Sequence, residues 1–328
     1  MGGRGVLYSV IPELKVEDLK QGLLVYANCV LKCRKMNVLS LFDGMSCGQI
    51  ALKEHGFIID KYYASEIDKF AIKQTQLNFP DTIQLGSVTE WEKWNIDWSS
   101  INLICAGSPC QGFSFAGKQL AFDDPRSKLF FVFVEILNHC KKFNPEVKFL
   151  LENVDMKKDH LRIISEYVGI FPVGINSALV SAQSRFRWYW SNIRTKKIGL
   201  FDELYTDISQ PIDKGILLRD ILQPENEVDK KYFLNDKQVL YIKENHSHYL
   251  REGNPDKCMT LLKEYSYGIC HQFIKCSSER LRKLTPIECS KLQTIPDWYK
   301  WECSTSHIYS MLGNGWTVKV IQHIFSFL

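Results

Sequence analysis

A chain of 328 residues that is 45% hydrophobic and 24% charged has the composition of an ordinary globular protein, large enough for one main domain and a smaller one. Its formal charge of +4 and pI near 8.4 are compatible with a polyanionic partner without requiring one, and no apolar run reaches the length of a bilayer span. Eleven cysteines with no CxxC pair argue against both a secreted disulfide scaffold and a zinc site, and fit a reducing, cytosolic setting.

Residues 1–35 read as a helical extension, with Leu19, Leu23, Tyr26 and Val30 on one stripe of an amphipathic helix. From Asn37 the pattern becomes strand, tight loop, helix. Val38 to Phe42 is an apolar strand and Asp43 to Gly48 the loop. Gly44 and Gly48 let backbone approach a ligand, and the helix start at Gln49 offers free N–H groups. There is no G-x-G-x-x-G, so the loop alone is a weak dinucleotide signal. The next strand, Tyr62 to Ser65, ends in Glu66, placed about 20 residues after the glycine loop, where an acid binds ribose hydroxyls.

A helix is expected over Lys69–Asn78, a strand over Ile83–Val88, and another over Ile101–Ala106. The last of these runs into Gly107-Ser108-Pro109-Cys110-Gln111-Gly112-Phe113-Ser114, which ends it sharply and sets Cys110 at the lip of a loop. A half-buried structural thiol and a nucleophile are both consistent with that placement alone. An apolar helix, Lys128 to Cys140, precedes a strand, Val147 to Leu151, that ends in Glu152-Asn153-Val154. Alternating strands and helices predict an α/β fold, a doubly wound parallel sheet of Rossmann-like type, with the polar candidates gathered just beyond strand ends.

Around Ser184–Ile193, Gln183, Arg185 and Arg187 alternate with Phe186, Trp188 and Trp190, the period of a strand with one polar and one aromatic face. Two guanidiniums on one face can hold a carbonyl oxygen, a carboxylate or a phosphate; on an edge strand they can equally be solvated. The alternation fades over 196–279, which reads as a smaller, irregular domain. Thr285-Pro286-Ile287-Glu288 carries a helix start, with Thr as N-cap and Glu at N3. Gly313-Asn314-Gly315-Trp316 reads as a tight loop before an apolar helix, Val318–Phe327.

Taken together, these residues resemble the cytosine-5 DNA methyltransferase family from about Met36 to Leu328, with the motifs in the family's order. The resemblance divides the chain into an extension (1–35), a catalytic domain (36–195), a target-recognition domain (196–279) and a C-terminal segment returning to the catalytic domain (280–328). It implies S-adenosylmethionine as cofactor, held by Phe42, Asp43, Gly44, Gly48, Glu66, Ile67, Ser87, Val88, Pro109, Leu129, Asn314, Gly315 and Trp316. Ser87 stands where the family often has an acid near the adenine. Pro109-Cys110 resembles the nucleophile motif, Glu152-Asn153-Val154 the acid motif, and Gln183-x-Arg185-x-Arg187 the arginine strand. Val180-Ser181-Ala182, Trp190 and Trp316 lean toward the branch of the animal de novo enzymes, whereas Gln111 to Ser114 is similar to bacterial and phage members.

The implied chemistry is addition of the Cys110 thiolate to C6 of a flipped-out cytosine, which makes C5 nucleophilic toward the methyl group. Glu152 would bond N3, and Arg185 or Arg187 the C2 carbonyl oxygen, with Arg185 favoured. Gln111, Gly112, Phe113, Lys118 and Thr260 are the implied DNA contacts. The implied partners are double-stranded DNA, the methyl donor and a cognate restriction enzyme, in the cytoplasm of a bacterial or phage-infected cell, or in a nucleus if the source is eukaryotic. An inactive DNA-binding homologue and an RNA cytosine methyltransferase are the alternatives. The Cys-Phe-Thr tripeptide usual in relatives that modify transfer RNA is absent.

Overall fold

A computed structural model describes residues 35–108, 128–245, 254–263, 265 and 273–328. Strands β1 (Met36–Leu41), β2 (Ile59–Ser65), β3 (Ile83–Gln84), β4 (Ile101–Gly107), β5 (Lys148–Val154), β6 (Val173–Asn176) and β7 (Phe186–Ser191) form one sheet in the order β3-β2-β1-β4-β5-β7-β6. Strands β1 to β5 run parallel; β7 is antiparallel to both β5 and β6, so the parallel sheet expected from the alternation carries one reversed strand, second from its edge.

Successive residues of the central strands face opposite sides. Val38, Leu103, Cys105 and Leu150 enter one buried cluster, and Leu39, Leu41, Ile104, Ala106, Phe149 and Leu151 the other. Burial on both faces is why these strands read as unbroken apolar runs rather than alternating ones. Burying each Leu or Ile contributes roughly 1.5–3 kcal/mol, so the sheet centre is the stable part of the molecule.

Helices α1 (Cys47–His55) and α2 (Lys69–Asn78) follow β1 and β2; α3 (Lys128–Phe143) and α4 (Lys158–Val168) follow β4 and β5. Residues of α1 share the first cluster with buried residues near the carboxyl terminus, and those of α3 and α4 fill the second. Hairpin β8–β9 (Thr195–Ile198, Glu203–Thr206), the short α5 (Leu218–Ile221), α6 (Asp236–Asn245) and hairpin β10–β11 (Ile274–Lys275, Leu281–Arg282) make up the described irregular region. Then come α7 (Pro286–Leu292), α8 (Thr305–Asn314) and α9 (Val318–Phe325). Buried Ile321 and Ile324 of α9 pack in the cluster that holds Ile50 and Leu52 of α1, so the chain's end covers the face that its first helix begins. Among the described residues no helix is long and apolar enough to cross a membrane.

Several boundaries differ from the sequence reading. Glu152, Asn153 and Val154 lie inside β5, because β7 supplies paired partners for them. Gly313 and Asn314 are the last residues of α8 rather than a loop, and Gly315 caps it with an ordinary negative φ. The start of α7 is as expected: Thr285 N donates to Glu288 Oε2 at 2.8 Å and Glu288 N to Thr285 Oγ at 3.2 Å, a reciprocal capping box.

Candidate active site

Strand order reverses between β1 and β4, and an open α/β sheet binds its ligand at such a point, beyond the strands' carboxyl ends. Two loops flank it. The first is Phe42–Ser46, where Gly44 (φ +58°) and two non-glycine residues, Phe42 (φ 56°) and Ser46 (φ 66°), take left-handed backbone. Glu66, just past β2, holds this turn: its Oε2 accepts from Gly44 N at 2.7 Å, and its Oε1 from Ile67 N and Asp68 N at 2.8 and 2.9 Å. A carboxylate has about four lone-pair sites, so at least one remains for a ligand hydroxyl.

Three features of the loop fit a cationic, carboxylate-bearing cofactor such as S-adenosylmethionine. Helix α1 begins with no side-chain cap and no acid in its first turn, which leaves its N-terminus suited to an anion. Asp43 takes the Tyr62 hydroxyl on Oδ1 at 2.9 Å while its buried Oδ2 has no hydrogen-bond partner among the described residues. Burial pushes the Asp43 carboxyl up to about 6, against the pull of hydroxyls from Ser40, Ser46 and Tyr62. Ile67 is 76% exposed beside Glu66, a bare apolar surface for a flat ring. Ser87 caps the turn that follows, its Oγ accepting from Thr89 N, while Val88 is buried in the core and Leu129 half-buried at the start of α3.

The second loop leaves β4 at Gly107 and Ser108. Ser108 Oγ accepts from Asn153 Nδ2 at 3.2 Å, which ties the exit of β4 to the acid motif on β5. Gly107 pairs in register with Glu152. Pro109, Cys110, Gln111, Gly112, Phe113 and Lys118 lie outside the described residues.

Glu152 is the centre of what is described here. Its Oε1 stands 3.0 Å from Arg187 Nε, with both side chains close to nine-tenths buried. That N–H lacks hydrogen-bond alignment, so the contact is an ion pair. Its Oε2 accepts from Trp316 Nε1 at 3.1 Å. The antiparallel register sets Val154 against Arg187 and Glu152 against Tyr189, so Arg187 reaches Glu152 along the diagonal.

The two arginines part company. Arg185 precedes β7 and is buried; its Nη1 donates to Leu261 O at 2.9 Å, and its Nη2 to Gly313 O and Gly315 O at 3.1 and 3.0 Å. The guanidinium favoured for the base by the sequence reading is thus engaged with three carbonyls, and Arg187 is the one that meets the acid. Thr260 Oγ1 donates to Ser184 O at 2.7 Å from an exposed position.

Sequence reasoning missed the buried polar joint around Arg185. Gln183 Oε1 accepts from Leu261 N at 2.6 Å, Gln293 Nε2 donates to Leu312 O at 2.6 Å, and Thr317 Oγ1 donates to Gln293 Oε1 at 2.8 Å. A Cβ on Gly313 would come within 2.4 Å of the Leu262–Lys263 backbone, so two chains cross there with no room for a side chain. Glutamines in an apolar surround were the available signal, but their partners are far away in sequence.

A glycine turn, an acid after the second strand and a buried carboxylate paired with arginine thus gather beyond the strand ends of a Rossmann-like sheet. The family model for C-5 cytosine-specific DNA methylase matches residues 36–328, and the chain belongs to that family. It is 29% identical to the type II methyltransferase M.HpaII of Haemophilus parainfluenzae, over 88% of this chain and 87% of that one. It is 30% identical to M1.ScrFI of Lactococcus lactis subsp. cremoris (89% and 78%) and 28% to M.HhaI of Haemophilus parahaemolyticus (88% and 93%). The fold is similar to that of the S. pombe Dnmt2 methyltransferase (TM-score 0.66, 19% identity, 89% of this chain and 98% of that one) and of EhMeth of Entamoeba histolytica (TM-score 0.65, 17% identity, 90% and 98%).

Proposed function

We propose that this DNA cytosine-5 methyltransferase acts on a cytosine flipped out of duplex DNA, with Cys110 as nucleophile, Glu152 as the acid that engages the ring, and Arg187 as the group that sets both. The observation that carries this assignment is the position of Glu152. It faces Gly107 across the β4–β5 pair, three residues before Cys110, and is gripped by Arg187 on one oxygen and Trp316 on the other.

The thiolate of Cys110 adds to C6, forming a carbon–sulfur bond and sending an electron pair into the ring. Glu152, after taking up a proton from solvent as the base enters, passes it to N3, holds that charge and reads the exocyclic amine. Arg187, adjacent to Glu152, is in reach of the C2 carbonyl oxygen. When bound, S-adenosylmethionine would supply C5 with an electrophilic methyl group on a sulfonium, whose leaving group is the neutral thioether. Water or hydroxide then takes the C5 proton, N3 returns its proton to Glu152, and the carbon–sulfur bond breaks to free the Cys110 thiolate. Asp43, Gly44, Gly48 and Glu66 would hold the cofactor at the β1 loop, with Trp316 closing its side.

A base in the duplex is out of reach of such a pocket, so flipping precedes chemistry and costs a few kcal/mol. Gln111, Gly112, Phe113 and Lys118 would contact the DNA around the vacated stack, and Thr260 a phosphate, to which its hydroxyl would donate in place of Ser184 O. Likeness to type II enzymes supports a cognate restriction enzyme as functional partner and a cytoplasmic setting. Bisulfite sequencing of DNA from cells expressing the chain tests activity and target together. Methylated cytosines in one sequence context, lost in C110S and E152Q, are expected; unmodified DNA from the wild type contradicts the reading.

A further inference from the structure

We propose that Trp316 is a positioning residue for Glu152: its indole N–H fixes the orientation of the acid before a base arrives. This rests on the assignment of Glu152 above and goes beyond the role of Trp316 as a wall of the cofactor site. The indole lies against Gly107, where a Cβ would stand 2.9 Å from its Nε1 and 3.2–3.3 Å from two ring carbons. On its other edge a Cβ on Gly48 would stand 3.5 Å from the ring. Two glycines, Gly48 in the first turn of α1 and Gly107 at the end of β4, therefore make the slot that holds the ring. The slot aims the N–H at Glu152 Oε2, 3.1 Å away.

The base of the slot is also fixed. Arg185 and Gln293 both donate to Gly315 O, one residue before Trp316, and Arg185 further holds Gly313 O and Leu261 O. Arg185 and Arg187 lie two apart on the same segment. One thus grips the acid directly while the other holds the backbone that carries the acid's second donor. With Oε1 taken by Arg187 and Oε2 by Trp316, the carboxyl group has both oxygens constrained, and its plane is set by the protein. Orientation of a reacting group within the site is worth more to the chemical step than to binding.

Phenylalanine keeps the ring and removes the N–H, so W316F is the diagnostic variant. The methyl-transfer rate in a single turnover, at saturating DNA and S-adenosylmethionine, is expected to fall about tenfold to a hundredfold, the scale of a lost hydrogen bond to a charged acceptor. Cofactor and DNA dissociation constants are expected to stay within about threefold, which also reports correct folding. G107A, whose methyl group would displace the indole, should lower the single-turnover rate with Trp316 intact. An unchanged W316F rate, or a rate loss that tracks weakened cofactor binding, overturns the proposal while leaving the methyltransferase reading in place. A wild-type protein that methylates no cytosine overturns both.

Discussion

Arg187 and Glu152 form an ion pair at 3.0 Å across neighbouring antiparallel strands, in a site that shields both. Removing the cation leaves a buried carboxylate without its countercharge, which costs far more than a surface pair does. R187A is expected to lower the single-turnover methylation rate by about a hundredfold or more, the scale on which a site loses a group that stabilises developing charge. R187K keeps the charge but not the planar fork and should recover only part of the loss. Quench-flow transfer of labelled methyl groups measures both.

Arg185 should behave differently. Its three carbonyl partners lie 76, 128 and 130 residues away in sequence, so it joins the irregular region and the end of α8 to the sheet. R185M is expected to destabilise the fold by about 2–4 kcal/mol, with a matching fall in the urea midpoint. At temperatures where the variant is folded, its affinity for DNA should drop more than its affinity for cofactor, since Leu261 lies in the irregular segment.

Much of the scaffold was legible in the sequence, for a local reason. Helix α2 runs over the Lys69–Asn78 span that periodicity gives, and the box at Thr285 and Glu288 forms with both its hydrogen bonds, because each is decided by residues within one turn. The apolar runs of β1 and β4 likewise announce strands covered on both faces. What could not be read depends on distant partners. The extension of β5 through Val154 needs β7 beside it, and the reversal of β7 is a property of chain path. The division of labour between Arg185 and Arg187 is invisible to a period-two pattern that puts them on one face. Trp316 carried no sign of its contact with Glu152, which arises only when α8 and β5 come together.

Glu66 holds the turn as well as any ligand. Three backbone N–H groups point at its carboxylate, so E66A removes the anchor of Gly44 along with the acid. Cofactor affinity is expected to fall by about tenfold or more, with a stability loss of about 1–3 kcal/mol from the orphaned N–H groups. Titration calorimetry with S-adenosylmethionine and a urea melt on the same sample separate the two effects.

Asp43 gives a pH dependence of definite sign. Burial raises its carboxyl from 3.8 to about 6, so between those values the folded state keeps a proton that the unfolded state has lost. Stability from this group is therefore full below about pH 4, falls as pH rises through 6, and then levels off; the span is up to about 3 kcal/mol. D43N has no such titration and should hold its midpoint across the same window. Saturating S-adenosylmethionine should flatten the wild-type curve, because a cation facing Oδ2 favours the carboxylate. Urea melts from pH 4 to 7.5, with and without cofactor, check each part.

The reversible bond proposed between Cys110 and cytosine C6 can be trapped without knowing the target sequence. Duplex DNA synthesised with 5-fluorocytosine throughout is incubated with the protein and S-adenosylmethionine, then denatured, digested and analysed by mass spectrometry. Fluorine at C5 blocks the proton loss that frees the enzyme, so the expected product is a peptide containing Cys110 joined to a methylated fluoro-dihydrocytosine, absent in C110S. Cofactor-dependent methylation of ordinary DNA with no such adduct, or an adduct on another residue that survives in C110S, would contradict it.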